Sequence, residues 1–161
     1  MNKPRPYAAG TKVPEMQTFH QLKRVMLKYG AEQFGTYGTL EAEVVMFAFN
    51  GLTYRFTLPM PTCEADLARI REAARVSKRA IPQGEDAMQQ ERDRRMRALL
   101  AVIRAKLIAI DEGITTFEQE FLPHVVTGDG RTVAEATIPA LVEGARRGSI
   151  PKSLPIPGGR E

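Results

Sequence analysis

The segment from Arg92 to Phe121, RDRRMRALLAVIRAKLIAIDEGITTFEQEF, constrains the fold more than any other part of the chain. It starts arginine-rich, turns apolar on nearly every side, and stops at Gly113 ahead of a new capping motif. On a wheel of about 100° per residue, Met96, Leu99, Leu100, Ile103, Leu107 and Ile110 fall within roughly 60° of one line. The opposite face carries Ala98, Ala101, Val102, Ala105 and Ile108. A helix that is apolar all round is normally buried. A helix over roughly 86–112 is therefore expected to be the spine of the fold, covered on two sides.

The second constraint is a hairpin. Leu40 to Phe49 and Leu52 to Leu58 flank Asn50-Gly51, the dipeptide best suited to a two-residue type I′ turn. Pairing Phe49 with Leu52 sets Phe47 opposite Tyr54, Val45 opposite Phe56 and Glu43 opposite Leu58. That face is apolar except for Glu43. A lone hairpin is marginal in water, so a third strand is expected, either at Gln33 to Tyr37 or at His124 to Thr127.

Around these elements, Thr18 with Gln21 reads as a capping box opening a helix that Gly30 ends. Glu64 to Arg79 has helical character, and Ile81 to Gly84 breaks it. Thr115 with Glu118, and Thr132 with Glu135, read as two further capping boxes. Pro139 is expected to kink the last helix. The resulting fold class is α+β: a small antiparallel sheet built on a hairpin, packed against a long central helix and shorter flanking helices. At 161 residues a single domain is expected, over residues 15–147, with an N-terminal arm at 1–14 and an extended Pro/Gly-rich tail at 148–161.

The lone Cys63 excludes an internal disulfide. The longest apolar run, Ala98 to Ile103, falls far short of the ~20 residues of a membrane span, and no signal peptide is evident. A protein of the cytoplasm with no membrane partner is expected.

Catalytic and metal chemistry find little footing. The two histidines, His20 and His124, stand alone in their elements, without the close spacing of zinc ligands. Cys63 has no companion base. Gly128 to Val133 resembles an anion loop but lacks the residues that complete one. No catalytic residue, metal or cofactor is expected, and the protein reads as non-enzymatic.

Charge points elsewhere. The net charge is +4, and residues 64–106 hold 11 Lys or Arg against 7 Asp or Glu. Arg94, Arg95, Arg97, Arg104 and Lys106 line the long helix, and arginine forks suit phosphate oxygens. These five are the candidate nucleic-acid contacts. The competing reading pairs them with Glu91, Asp93 and the acidic C-terminal third. Ala98, Ala101 and Ala105 form a second candidate surface, where another helix can approach closely. Its occupant is either the helix at 132–146 or a second copy in a homodimer. No aromatic platform for stacked bases is evident, because Phe47 and Tyr54 face the core.

Over Arg94 to Glu135 the sequence resembles a family of small proteins encoded by bacteriophages and prophages. The shared pattern is an Arg-rich start, ALxxVIxAKL, GIxTFExEF and a DGRTV turn. It matches Arg94, Arg95 and Arg97, then Ala98 to Leu107, Gly113 to Phe121 and Asp129 to Val133. The helix ending in Tyr29-Gly30-Ala31 and the hairpin ending in Leu58-Pro59-Met60-Pro61 extend it over roughly residues 18–155. Met96 stands where such proteins often carry Trp. The resemblance implies a phage origin and a bacterial cytoplasm, and it transfers no catalytic residue. It suggests an accessory role, either nucleic-acid binding or inhibition of a host enzyme or antiviral defence complex through a protein interface.

Overall fold

Helix α1 (Glu15–Lys28) starts three residues before the expected cap. Pro14 occupies the N-cap with no side-chain capping bond, and its fixed φ prepares the first turn. Thr18 lies inside the helix, fully buried, its hydroxyl donating to the Pro14 carbonyl at 3.5 Å. It thus serves packing rather than capping. The C-terminus follows expectation. Gly30 takes φ +94°, and Gly30 and Ala31 donate to Leu27 and Met26 in a Schellman motif. These observations come from a computed structural model that describes residues 7–8, 11, 13–62, 66, 68, 71–72, 75 and 84–149.

Three strands follow, β1 (Gln33–Gly38), β2 (Ala42–Phe49) and β3 (Leu52–Pro59), in an antiparallel sheet of that order. The hairpin register is the expected one: Phe49 pairs with Leu52, Phe47 with Tyr54, Val45 with Phe56 and Glu43 with Leu58. Asn50 and Gly51 both hold positive φ, 49° and 72°, as a type I′ turn requires. Both proposed third strands are used, unequally. Gln33–Gly38 pairs with β2 along its length. Val125 makes only an isolated bridge to Tyr54, with Val126 N–H donating to the Thr53 carbonyl at 2.8 Å.

The long helix α2 (Gly84–Asp111) lies on the sheet face that carries Phe47, Tyr54 and Phe56. Its apolar line is the core: Met96, Leu100, Ile103 and Leu107 are all 2% exposed or less. Leu22 and Met26 of α1 join the same cluster. Each such side chain contributes roughly 1.5–3 kcal/mol on leaving water. Three ties align the two helices. Glu15 N–H donates to Asp93, Arg97 to Gln21, and the Tyr29 hydroxyl to Asp111. Partners ascend together on both helices, so α1 and α2 run parallel.

Helix α3 (Phe117–Phe121) opens one residue later than expected. Thr116 with Gln119, not Thr115 with Glu118, forms its capping box. That phase puts Phe117 and Phe121 four apart on one buried face, where their rings stack 4.4 Å apart and close the aromatic core. A 3-10 turn, Leu122–His124, leads on to α4 (Val133–Arg147). Thr132 and Glu135 form the expected capping box, and α4 continues through Pro139 to Gly148 in the left-handed conformation.

Of the expected helical segment Glu64 to Arg79 only residues 66, 68, 71–72 and 75 are described, all of them helical. Cys63, residues 81–83 of the break, the tail from Ile150 onward and most of the arm before Val13 lie outside the described residues. No helix among the described residues is long and apolar enough to cross a membrane.

One packing expectation fails. Helix α4 does not cover the alanine face of α2. Arg55, on the sheet face opposite α2, donates to the Gly130 carbonyl at 2.8 Å and to Glu135 at 2.7 Å. These bonds and the Val126–Thr132 bridge anchor the start of α4 on the far side of the sheet. The back of α2 is consequently open: Ala98 and Ala101 are half-buried and Ala105 is exposed. Val102 and Ile108 beside them are 50% and 59% exposed. Among the described residues, the spine is buried on its front and flanks and only partly covered behind.

Candidate nucleic-acid interface

The five candidate cations are spread around α2, and the structure sorts them by partner. Arg94 grips both oxygens of Glu91 through Nε and Nη2, at 2.7 and 2.5 Å. Arg95 bonds the same carboxylate at 3.0 Å and also donates to the Pro59 carbonyl, tying α2 to the end of β3. Burial works against the charged form of Glu91, but the bonds from Arg94 and Arg95 outweigh it and hold its carboxyl below the usual range. Arg94 is in turn pushed up by its bond to Glu91. Lys106 reaches across to α3, bonding the Glu120 carboxylate and carbonyl at 2.9 Å each. Arg92 donates to the Leu40 carbonyl at 3.2 Å. Arg92, Arg95 and Lys106 fasten the helix to its neighbours, while Arg94 is held within it by Glu91.

Arg97 and Arg104 differ. Arg97 bonds only the neutral amide of Gln21, at 3.0 Å. Arg104 is exposed, and among the described residues neither has a carboxylate partner. They lie seven apart, two turns along one side of α2. That side faces α1, as the Gln21 bond fixes. Arg24 and Lys28, three and seven residues beyond Gln21, project on the same side of α1. Both are exposed and free of ion pairs. The seam between the two parallel helices is therefore flanked by four cations that form no ion pair among the described residues. Asp111, taken by the Tyr29 hydroxyl, marks its far end.

Behind this seam lies a hollow of about 240 Å³ lined by Tyr7, Arg97, Leu100, Ala101, Arg104, Ala105 and Ile108. The two uncompensated arginines and two of the three candidate interface alanines thus meet in one place. The alanines make the depression, since no side chain beyond Cβ fills it. Arg94, Arg95 and Lys106 take no part in its lining, and Ala98 lies one turn away from its floor.

Sequence reading missed three members of this site. Nothing in the sequence sets Arg24 and Lys28 apart, because only the pairing of α1 with α2 puts their side of the helix along the seam that Arg97 borders. Tyr7 gave no signal, because the surrounding arm has no periodicity. Among the described residues, no His, Cys, Asp and Glu gather in threes as a metal site. His124 stacks on Phe56 at 3.8 Å, and burial, with Lys106 nearby, lowers its pKa from the ordinary 6.5. It is a packed histidine at the end of the 3-10 turn.

The architecture is that of an α+β protein, a three-stranded antiparallel meander carrying two parallel helices on one face. No family model, no curated protein and no solved structure matches the chain.

Proposed function

We propose that the protein is a non-enzymatic, phage-derived accessory protein that binds nucleic acid along the α1–α2 seam. Arg97 and Arg104 contact phosphates, and Arg24 and Lys28 extend the track. The observation that carries this reading is the sorting of charges on α2. Arg94, Arg95 and Lys106 are each held by a carboxylate, whereas Arg104 is exposed and Arg97, half-buried, bonds only a neutral amide. A guanidinium with open N–H groups can fork two phosphate oxygens, and one already gripped by a carboxylate has few donors left.

The test is fluorescence anisotropy with labelled oligonucleotides at two salt concentrations. Changing Arg97 and Arg104 together to Gln is expected to weaken binding and to lower the salt slope by about two, one per lost phosphate contact. The same change at Arg94 and Arg95 should leave that slope nearly unaltered. Absence of wild-type binding at low salt would sink the proposal. A second copy seated on the alanine face would block the hollow, so the proposal also expects a monomer by light scattering. A dimer that dissociates in the Ala101→Glu variant would replace it.

One observation favours a second reading, a module that docks on a host or phage protein. Helix α4 has no buried residue, and Ile138, Leu141 and Val142 on its apolar ridge are 54%, 55% and 45% exposed. A helix of 15 residues is marginal in water without tertiary packing. Pull-down from nuclease-treated infected cells, with wild type and Leu141→Asp, tests it. A partner lost on that substitution supports docking, and an unchanged set of partners rejects it.

A further inference from the structure

The α1–α2 seam recognises single strands rather than duplex, and we infer that the hollow over Ala101 and Ala105 takes one unstacked nucleobase. This inference rests on the phosphate-binding proposal above and names the form of nucleic acid that the site fits.

Size speaks first. At about 240 Å³ the hollow is smaller than the roughly 300–1,000 Å³ of pockets for drug-sized ligands. It suits a single flat ring system. Chemistry speaks second. The floor of Leu100, Ala101, Ala105 and Ile108 is apolar, as the face of a base requires, and Tyr7 stands at its wall as the one aromatic ring. Tyr7 is 58% exposed, so much of its ring is open to a partner. The aromatic platform that the core residues cannot offer is thus supplied from the N-terminal arm. Third, Arg97 and Arg104 border this apolar floor. Phosphates flanking an inserted base would meet the same two guanidiniums that have no carboxylate partner among the described residues. A ring slot edged by cations is the combination by which single strands are held, stacking giving sequence-tolerant affinity and arginines following the backbone.

A duplex meets a different fate. Its bases are already stacked and paired, so filling the hollow means extruding one of them at a cost of a few kcal/mol. The floor is edged by the arginines, and an intact double helix has no free ring to lay on it. Single strands carry no such penalty.

The experiment compares three labelled ligands of equal length on the full chain: a single strand, its duplex, and a strand of abasic residues that keeps every phosphate. The single strand is expected to bind at least about tenfold more tightly than the abasic strand, the scale of one base–aromatic contact. Two variants localise the effect. Tyr7→Ala removes the ring, and Ala105→Leu fills the hollow from an exposed position that the fold does not need. Both should bring the single strand down to the abasic level while leaving abasic binding unchanged. Equal affinity for single and abasic strands, or insensitivity to both variants, would overturn the hollow as a base site while leaving phosphate binding in place. Preference for duplex would do the same. No binding of any ligand would remove the phosphate-binding proposal together with it.

Discussion

The front and the back of α2 are built from the same kinds of residue and do opposite things. The front, Met96, Leu100, Ile103 and Leu107, presents branched and long side chains that interlock with Phe47, Phe56 and Phe121. The back, Ala98, Ala101, Ala105, Val102 and Ile108, is as apolar in composition but faces solvent. The arginines divide along the same helix. Those on the core-ward flanks and at the N-terminal end are tied to Glu91 and to backbone carbonyls, and those over the seam are not. Hydropathy therefore identifies which residues can be buried, and it does not say which of them find a neighbour.

The contrast can be broken by substitution. The largest effect is expected at Ile103→Ala on the fully buried front, about 2–5 kcal/mol from lost transfer energy and the cavity left behind. Urea unfolding measures it, and a cost below 1 kcal/mol would show that α2 does not sit as described. Next comes Glu91→Ala, which strands Arg94 and Arg95 beside the end of β3. Loss of a partly buried acceptor of this kind costs about 1–3 kcal/mol. A melting temperature equal to wild type would instead place both arginines in solvent.

Titration sharpens the contrast further. The folded state lowers the pKa of His124 below its ordinary 6.5. The unfolded chain therefore binds more protons in the window just below 6.5. Stability is complete above that pH and falls as pH drops through it toward the depressed folded value. Thermal melts between neutral and mildly acidic pH should show this slope, and His124→Phe should flatten it at the histidine range. The smallest effect is expected behind the helix. Ala105→Glu, at an exposed position, should change stability within about 0.5 kcal/mol, as for an ordinary surface site, while placing a carboxylate in the hollow edged by Arg97 and Arg104 and weakening oligonucleotide binding. A loss of several kcal/mol would mean that the back of α2 is covered after all.

Much of the fold was legible because it rests on local rules. Asn50-Gly51 fixed the turn, and a period of two then fixed every pair from Phe49–Leu52 to Glu43–Leu58. Thr132 and Glu135 capped α4 as read. Reading failed where a local rule had two solutions. Thr115 and Thr116 can each cap, and burial of Phe117 and Phe121 selected the second. Thr18 had the right residues for a cap, but its place among Leu22 and Met26 drew it inside the helix. The candidate site was legible only in part: Arg97, Arg104, Ala101 and Ala105 were named, but alongside Arg94, Arg95, Lys106 and Ala98, and without Arg24, Lys28 and Tyr7.

By itself the sequence determined the α+β class, the hairpin register and the buried line of α2, because each follows from periodicity and turn chemistry within a few residues. Tertiary structure alone decided which charges were spent and which apolar face stayed open. Apart from the local pairing of Arg94 and Arg95 with Glu91, both depend on partners far apart in the chain. Gln21 selects the side of Arg97 across 76 residues, and Arg55 draws Glu135 away from α2 across 80. No local pattern encodes such pairings, since a guanidinium or an alanine reads the same in sequence whether or not something lies against it.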